Sequence, residues 1–104
     1  MLIWSEKLYI GEQIGKKSGK IRKKLNRTFF LPDVFLITGP TNAANLFDVF
    51  SAKELRFPYH KKREILVCGL AKSKEEALDL VTKMIEDMYQ KTGGLCSKEY
   101  FKKE

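Results

Sequence analysis

The chain has 104 residues, about the length of one domain, and 43% of them are hydrophobic, too many for a disordered tail. Twenty Lys and Arg against thirteen Asp and Glu give a formal charge of +7, which points to anionic rather than cationic partners. Cys68 and Cys96 lack metal-ligand spacing, no window resembles a membrane span, and Ser5, Glu6 and Lys7 follow Trp4 too soon for a signal peptide. Free thiols, no membrane contact and a cytoplasmic location are therefore expected.

The first element is a strand ending in Leu8, Tyr9 and Ile10, followed by a helix near residues 12–26. Ile10, Ile14, Ile21 and Leu25 form a narrow apolar stripe on this segment, whose other faces are cationic, and Gly15 and Gly19 weaken it. Between Glu12 and Asp33 there is no acidic residue, yet Lys16, Lys17, Lys20, Arg22, Lys23, Lys24 and Arg27 fall within twelve positions. Such a run attracts polyanions, because each cation that meets a phosphate releases a condensed counterion. The bland alternative is a solvated helix face whose charge pairs with acids elsewhere in the fold. Gly11, Gly15 and Gly19 do not form a nucleotide-phosphate loop, since only three residues separate Gly11 from Gly15 and Lys17 intervenes between Lys16 and Ser18.

Val34 to Thr38 is a continuous apolar run of the kind that fills a strand buried on both faces. Gly39-Pro40-Thr41-Asn42 then breaks the chain, and Leu46, Phe47, Val49 and Phe50 supply the apolar side of a helix over 42–53. With the run from Ile65 to Leu70 as the next strand, this is a βαβ pattern whose right-handed crossover predicts two parallel strands in one sheet. Gly39, Thr41 and Asn42 are candidates for a small-anion site at the end of the strand, although chain reversal and helix capping explain the same residues. Lys72 and Ser73 hold the equivalent place after the last strand.

A second cationic segment precedes that last strand. Arg56, Phe57, Pro58, Tyr59, His60, Lys61, Lys62 and Arg63 mix aromatic and basic side chains that suit base stacking and phosphate contact, or simply a soluble connection whose aromatic residues plug the core edge. Of these, Arg56, Lys61, Lys62 and Arg63 join the candidate polyanion surface, if the two segments share a face. The last helix is the best-defined element. Ser73 and Glu76 form a capping box, Ala77, Leu78, Val81, Met84, Ile85 and Met88 line one side over 74–91, and Gly93 and Gly94 stop it. Tyr100 and Phe101 are expected to dock the tail.

The expected fold is a small single-domain α/β layered structure with about three strands, in a mostly parallel or mixed sheet, and three helices. Its open sheet edges predict either a homodimer or a charged, blunted monomer. For function the leading expectation is a non-catalytic binding or adaptor protein that contacts nucleic acid or an acidic protein through the basic helix. A small-anion or nucleotide-binding regulatory domain using Gly39 to Asn42 comes second, and an enzyme last. His60 is the only histidine, neither cysteine has an activating neighbour in sequence, and no cofactor or metal motif is present.

Overall fold

The computed structural model describes residues 2–27, 32–40, 46–57, 63–94 and 100–101. They form an α/β structure in which a mixed four-stranded sheet is covered by a helix on each face. Strands β1 (Leu2–Ile10), β2 (Phe35–Thr38), β3 (Asp48–Ser51) and β4 (Ile65–Ala71) lie in the order β1-β4-β2-β3. Helix α1 spans Ser18–Arg27 and helix α2 spans Lys74–Thr92, with short 3-10 turns at Gly15–Lys17 and Ala52–Arg56.

The apolar runs became the two central strands because both of their faces are covered. On β4, Ile65, Val67 and Leu70 join Trp4, Leu36, Phe50 and Leu25 on the α1 side, while Cys68 and Ala71 join Ile37, Ala77, Met84 and Met88 on the α2 side. The α2 layer is closed by the end of the chain. Phe101 is buried and makes edge-to-face contacts with Tyr9, Phe47 and Tyr100 at centroid distances of 5.9, 5.5 and 4.9 Å, so the aromatic tail docks as its sequence predicts.

Two expectations are corrected. The strands at Val34–Thr38 and Ile65–Leu70 are neighbours but antiparallel, Leu36 facing Leu70 and Phe35 facing Ala71; the parallel pair is β1 with β4. The helix placed at 42–53 is replaced where it is described by β3 and a 3-10 turn, and residues 41–45 lie outside the described part. Phe50 faces α1 while Phe47 and Val49 face α2, the two-sided distribution of a strand. Pairing of β3 with β2, Leu36 opposite Phe50 and Ile37 opposite Val49, overrides the weaker helical spacing.

The first helix also starts later than the expected residue 12. Gly15 takes φ +48°, a left-handed conformation, and the chain makes a 3-10 turn before α1 begins at Ser18. At the outer edge, β1 leaves register between Trp4 and Tyr9, and the Ser5 hydroxyl accepts the Lys7 amide at 3.1 Å within that excursion. The irregularity and the exposed charges of Glu6 and Lys7 blunt this edge against pairing.

Candidate functional site

Helix α1 is seated by one side only. Leu25 is fully buried, Ile21 is half-buried, and Ile14, just before the 3-10 turn, is buried in the same cluster. Trp4 on β1 holds two further positions: its indole Nε1 donates to Asn26 Oδ1 at 3.1 Å, and the Arg22 guanidinium lies 4.7 Å from the ring centroid. These residues define the inner side of α1.

The outer side is cationic. Lys20, Lys23 and Lys24 are exposed, and at 100° per residue they fall on one face; the backbone position of Arg27 continues the row at the helix end. The side chain of Arg27 lies outside the described part. Lys16 and Lys17 are exposed in the 3-10 turn that leads into α1. Five lysines thus project from one continuous segment, whereas Arg22 is half-buried against Trp4.

The turn that opens the second basic segment lies on the same face of the sheet. Ala52 and Leu55 are buried in the cluster that receives Leu25, so the 3-10 turn carrying exposed Lys53 and Arg56 lies on the α1 side. Arg63, half-buried, precedes β4. His60, Lys61 and Lys62 lie outside the described residues. That turn is capped at its start: Ser51 Oγ accepts the Lys53 amide at 3.3 Å and Glu54 Oε2 accepts the Ser51 amide at 3.1 Å. At its end Phe57 donates its amide to the Glu54 carbonyl at 3.0 Å and leaves its ring 58% exposed.

The opposite face is mixed in charge. Helix α2 presents Glu75, Asp79 and Glu86 to solvent together with Lys74, Lys83 and Lys91, and Asp87 accepts the Tyr9 hydroxyl at 2.7 Å. The sheet therefore separates a lysine-rich layer from one in which exposed acids and bases balance.

In each small-anion candidate one described backbone amide is already engaged. The Gly39 amide is already given to the Leu66 carbonyl at 3.0 Å, and Thr41 and Asn42 lie outside the described residues. After β4, the Glu76 carboxylate occupies the place at the start of α2 that an anion would take. Its oxygens accept the amides of Lys72 at 2.7 Å and Gln13 at 3.0 Å, while Ser73 Oγ accepts the Glu76 amide at 3.1 Å. The expected capping box is thus half-formed: the carboxylate reaches one residue beyond Ser73 and across to the connection after β1. A cleft of about 490 Å³ beside it is lined by Glu12, Glu76 and Asp79 with Lys83, a charge balance that repels anions.

Two titrating groups are held in their neutral forms. Burial pushes the Cys68 thiol up to about 12. Tyr9 is raised well above an ordinary phenol, chiefly by burial and also by its hydrogen bonds to Tyr100 (2.9 Å) and Asp87. Both shifts suppress nucleophilic reactivity at neutral pH. Cys96 lies outside the described residues. Among the described residues, no group of three or more His, Cys, Asp or Glu could hold a metal ion, and no helix is long and apolar enough to cross a membrane.

The sequence located the basic run but missed its seating. The signal was present in Trp4, the single tryptophan, which sits on a strand with a polar side chain needed at its indole nitrogen. Comparison with protein-family models, curated proteins and solved structures finds no match.

Proposed function

We propose that the protein is a non-catalytic binding or adaptor module that contacts an anionic macromolecule through the lysine face of α1. The observation that carries this reading is a row of exposed lysines on a helix whose inner side is fixed by Leu25 and Trp4. Like charges at three- and four-residue spacing destabilise a helix by about 0.2–0.5 kcal/mol per pair. Lys20, Lys23 and Lys24 form such pairs, and the first turn of α1 contains no acid to offset them. Violations of local preference concentrate where a protein has a use for them. The exposed basic turn at Lys53 and Arg56 enlarges the surface on the same side of the sheet.

The test is charge reversal at α1. The triple variant K20E/K23E/K24E keeps the wild-type circular dichroism spectrum and loses retention on heparin and on nucleic acid. Wild-type binding weakens steeply with salt, and the slope of log K against log salt falls by roughly 0.7–0.9 for each phosphate contact removed. Retention of the triple variant equal to that of the wild type, across the same salt series, rejects the reading.

A further inference from the structure

Lysines alone accept any polyanion, but Phe57 adds a different kind of contact. The described residues contain three large hydrophobic side chains that are strongly exposed, Phe57, Leu78 and Tyr89; the last two belong to α2, on the opposite side of the sheet. Phe57 follows the turn on the basic side, next to exposed Arg56 and four residues from exposed Lys53. Its exposure is not a loose end. The capped 3-10 turn fixes the backbone at φ −71° and ψ 138°, and Leu55 is buried beneath it. An aromatic ring presented at the end of a capped turn loses less conformational freedom, when something flat settles on it, than one on an unstructured segment.

Resting on the polyanion reading, we infer that the ligand of this face is a single-stranded nucleic acid, whose phosphates follow α1 and one of whose bases stacks on Phe57. The layout suits that ligand. Helix α1 is fastened over β1 through Trp4, and the turn bearing Phe57 continues from β3, the opposite edge of the sheet. Three strand spacings separate the two edges, about 14 Å. An extended strand crosses that distance with a few nucleotides. A duplex offers α1 the same phosphates but keeps the faces of its bases stacked inside, leaving the ring nothing to cover it. An acidic protein would satisfy the lysines but brings a flat π-surface only where an aromatic or Arg side chain is placed for it. Every base has one, so the contact tolerates sequence.

The experiment uses fluorescence anisotropy with three labelled probes: an oligothymidylate of about twelve nucleotides, a duplex of equal length, and an abasic sugar-phosphate strand of the same charge. The wild type binds the oligothymidylate most tightly. Phe57→Ala lowers that affinity roughly 5- to 150-fold, the range of a lost base stack, without changing the affinity for the abasic strand; Phe57→Trp preserves or improves it. Reversal of Lys20, Lys23 and Lys24 weakens all three. Thermal midpoints confirm that the Phe57 variants are folded, as expected for an exposed ring. Equal or tighter binding of the duplex, or an alanine variant that loses both single strands alike or neither, overturns the inference while lysine-dependent binding leaves the polyanion reading standing. Absence of binding to all probes and to heparin overturns both.

Discussion

The α2 layer is stabilised by its own sequence, whereas the α1 layer is held in place against its sequence's preferences. Helix α2 runs for nineteen residues, has Ser73 at its start with Glu75 and Glu76 in the first turn, and ends on Gly93 at φ +72°. Each feature satisfies a free backbone group or complements the helix dipole. Helix α1 runs for ten, follows an uncapped 3-10 turn, has no acid in its first turn, and carries lysines where the dipole is positive. It persists because Leu25, Ile21 and the Trp4 contacts hold it to the sheet. The difference teaches where selection for stability ends. One layer supplies the fold with a firm back, and the other spends some of that stability on a cationic front.

The largest expected effects test this division directly. Phe101→Ala should destabilise the whole protein by about 3–5 kcal/mol, since a fully buried ring is removed, and unfolding should remain one cooperative transition. Leu25→Ala should cost about 2–5 kcal/mol by the same measure, yet act unevenly. Amide exchange in α1 should accelerate before exchange in β4 or α2, because little else pins that helix. If the Leu25 variant instead loses protection evenly over both layers, the α1 layer is as integral as the α2 layer and the comparison fails.

A middle-sized effect concerns the place where the two layers meet. A methyl group at Gly11 would occupy the space of the Glu76 carboxylate, which holds the amides of Gln13 and Lys72. Gly11→Ala should therefore displace that carboxylate and cost about 1–3 kcal/mol, the range for leaving partners unsatisfied. Glu76→Ala should cost a similar amount, and adding Gly11→Ala to it should cost little more, because the obstacle is gone. Chemical denaturation of the two single variants and the double variant measures the coupling. Additive losses would show that Gly11 is required for a reason other than room for Glu76.

What the sequence made legible follows the same division. The α2 helix was readable at both ends, since Ser73, Glu76 and the Gly93-Gly94 pair announce themselves and the apolar spacing between them suits one period. The two central strands were readable as continuous apolar runs, because burial on both faces removes any need for polar alternation. Their relative direction was not, as it depends on β3, and there the sequence is ambiguous. Leu46, Phe47, Val49 and Phe50 fit one helix face as well as they fit two sides of a strand. A discriminating signal was nevertheless present: Ser51 and Glu54 make a capping box, so a helical turn begins at 51 and the residues before it belong to something else. For the site, the lysine run was evident and its projection to one side was not. That projection is set by the contact of Asn26 and Arg22 with Trp4, some twenty residues away in the chain. The position of the Lys53 and Arg56 turn on the α1 side and the exposure of Phe57 are likewise tertiary facts, fixed by where Leu55 is buried.

The smallest expected effect is the most telling, because its sign runs against the usual result of mutation. Lys20 lies in the first turn of α1 and stands three and four residues before Lys23 and Lys24. Lys20→Glu turns two repulsions into attractions and places an acid near the positive end of the helix, changes that together stabilise by about 1–2 kcal/mol at low ionic strength. The gain should shrink as salt screens exposed charges beyond about 10 Å and weakens the nearer ones. The same substitution should reduce polyanion affinity, since one phosphate contact becomes a repulsion. Thermal denaturation in low and high salt, paired with heparin elution, reads both consequences in one variant. A protein made more stable and less adhesive by a single charge change has kept that lysine for binding rather than for folding. A Lys20→Glu variant that is less stable than the wild type would mean that the lysine is already compensated within the fold, and the tension between the two layers would then have no basis.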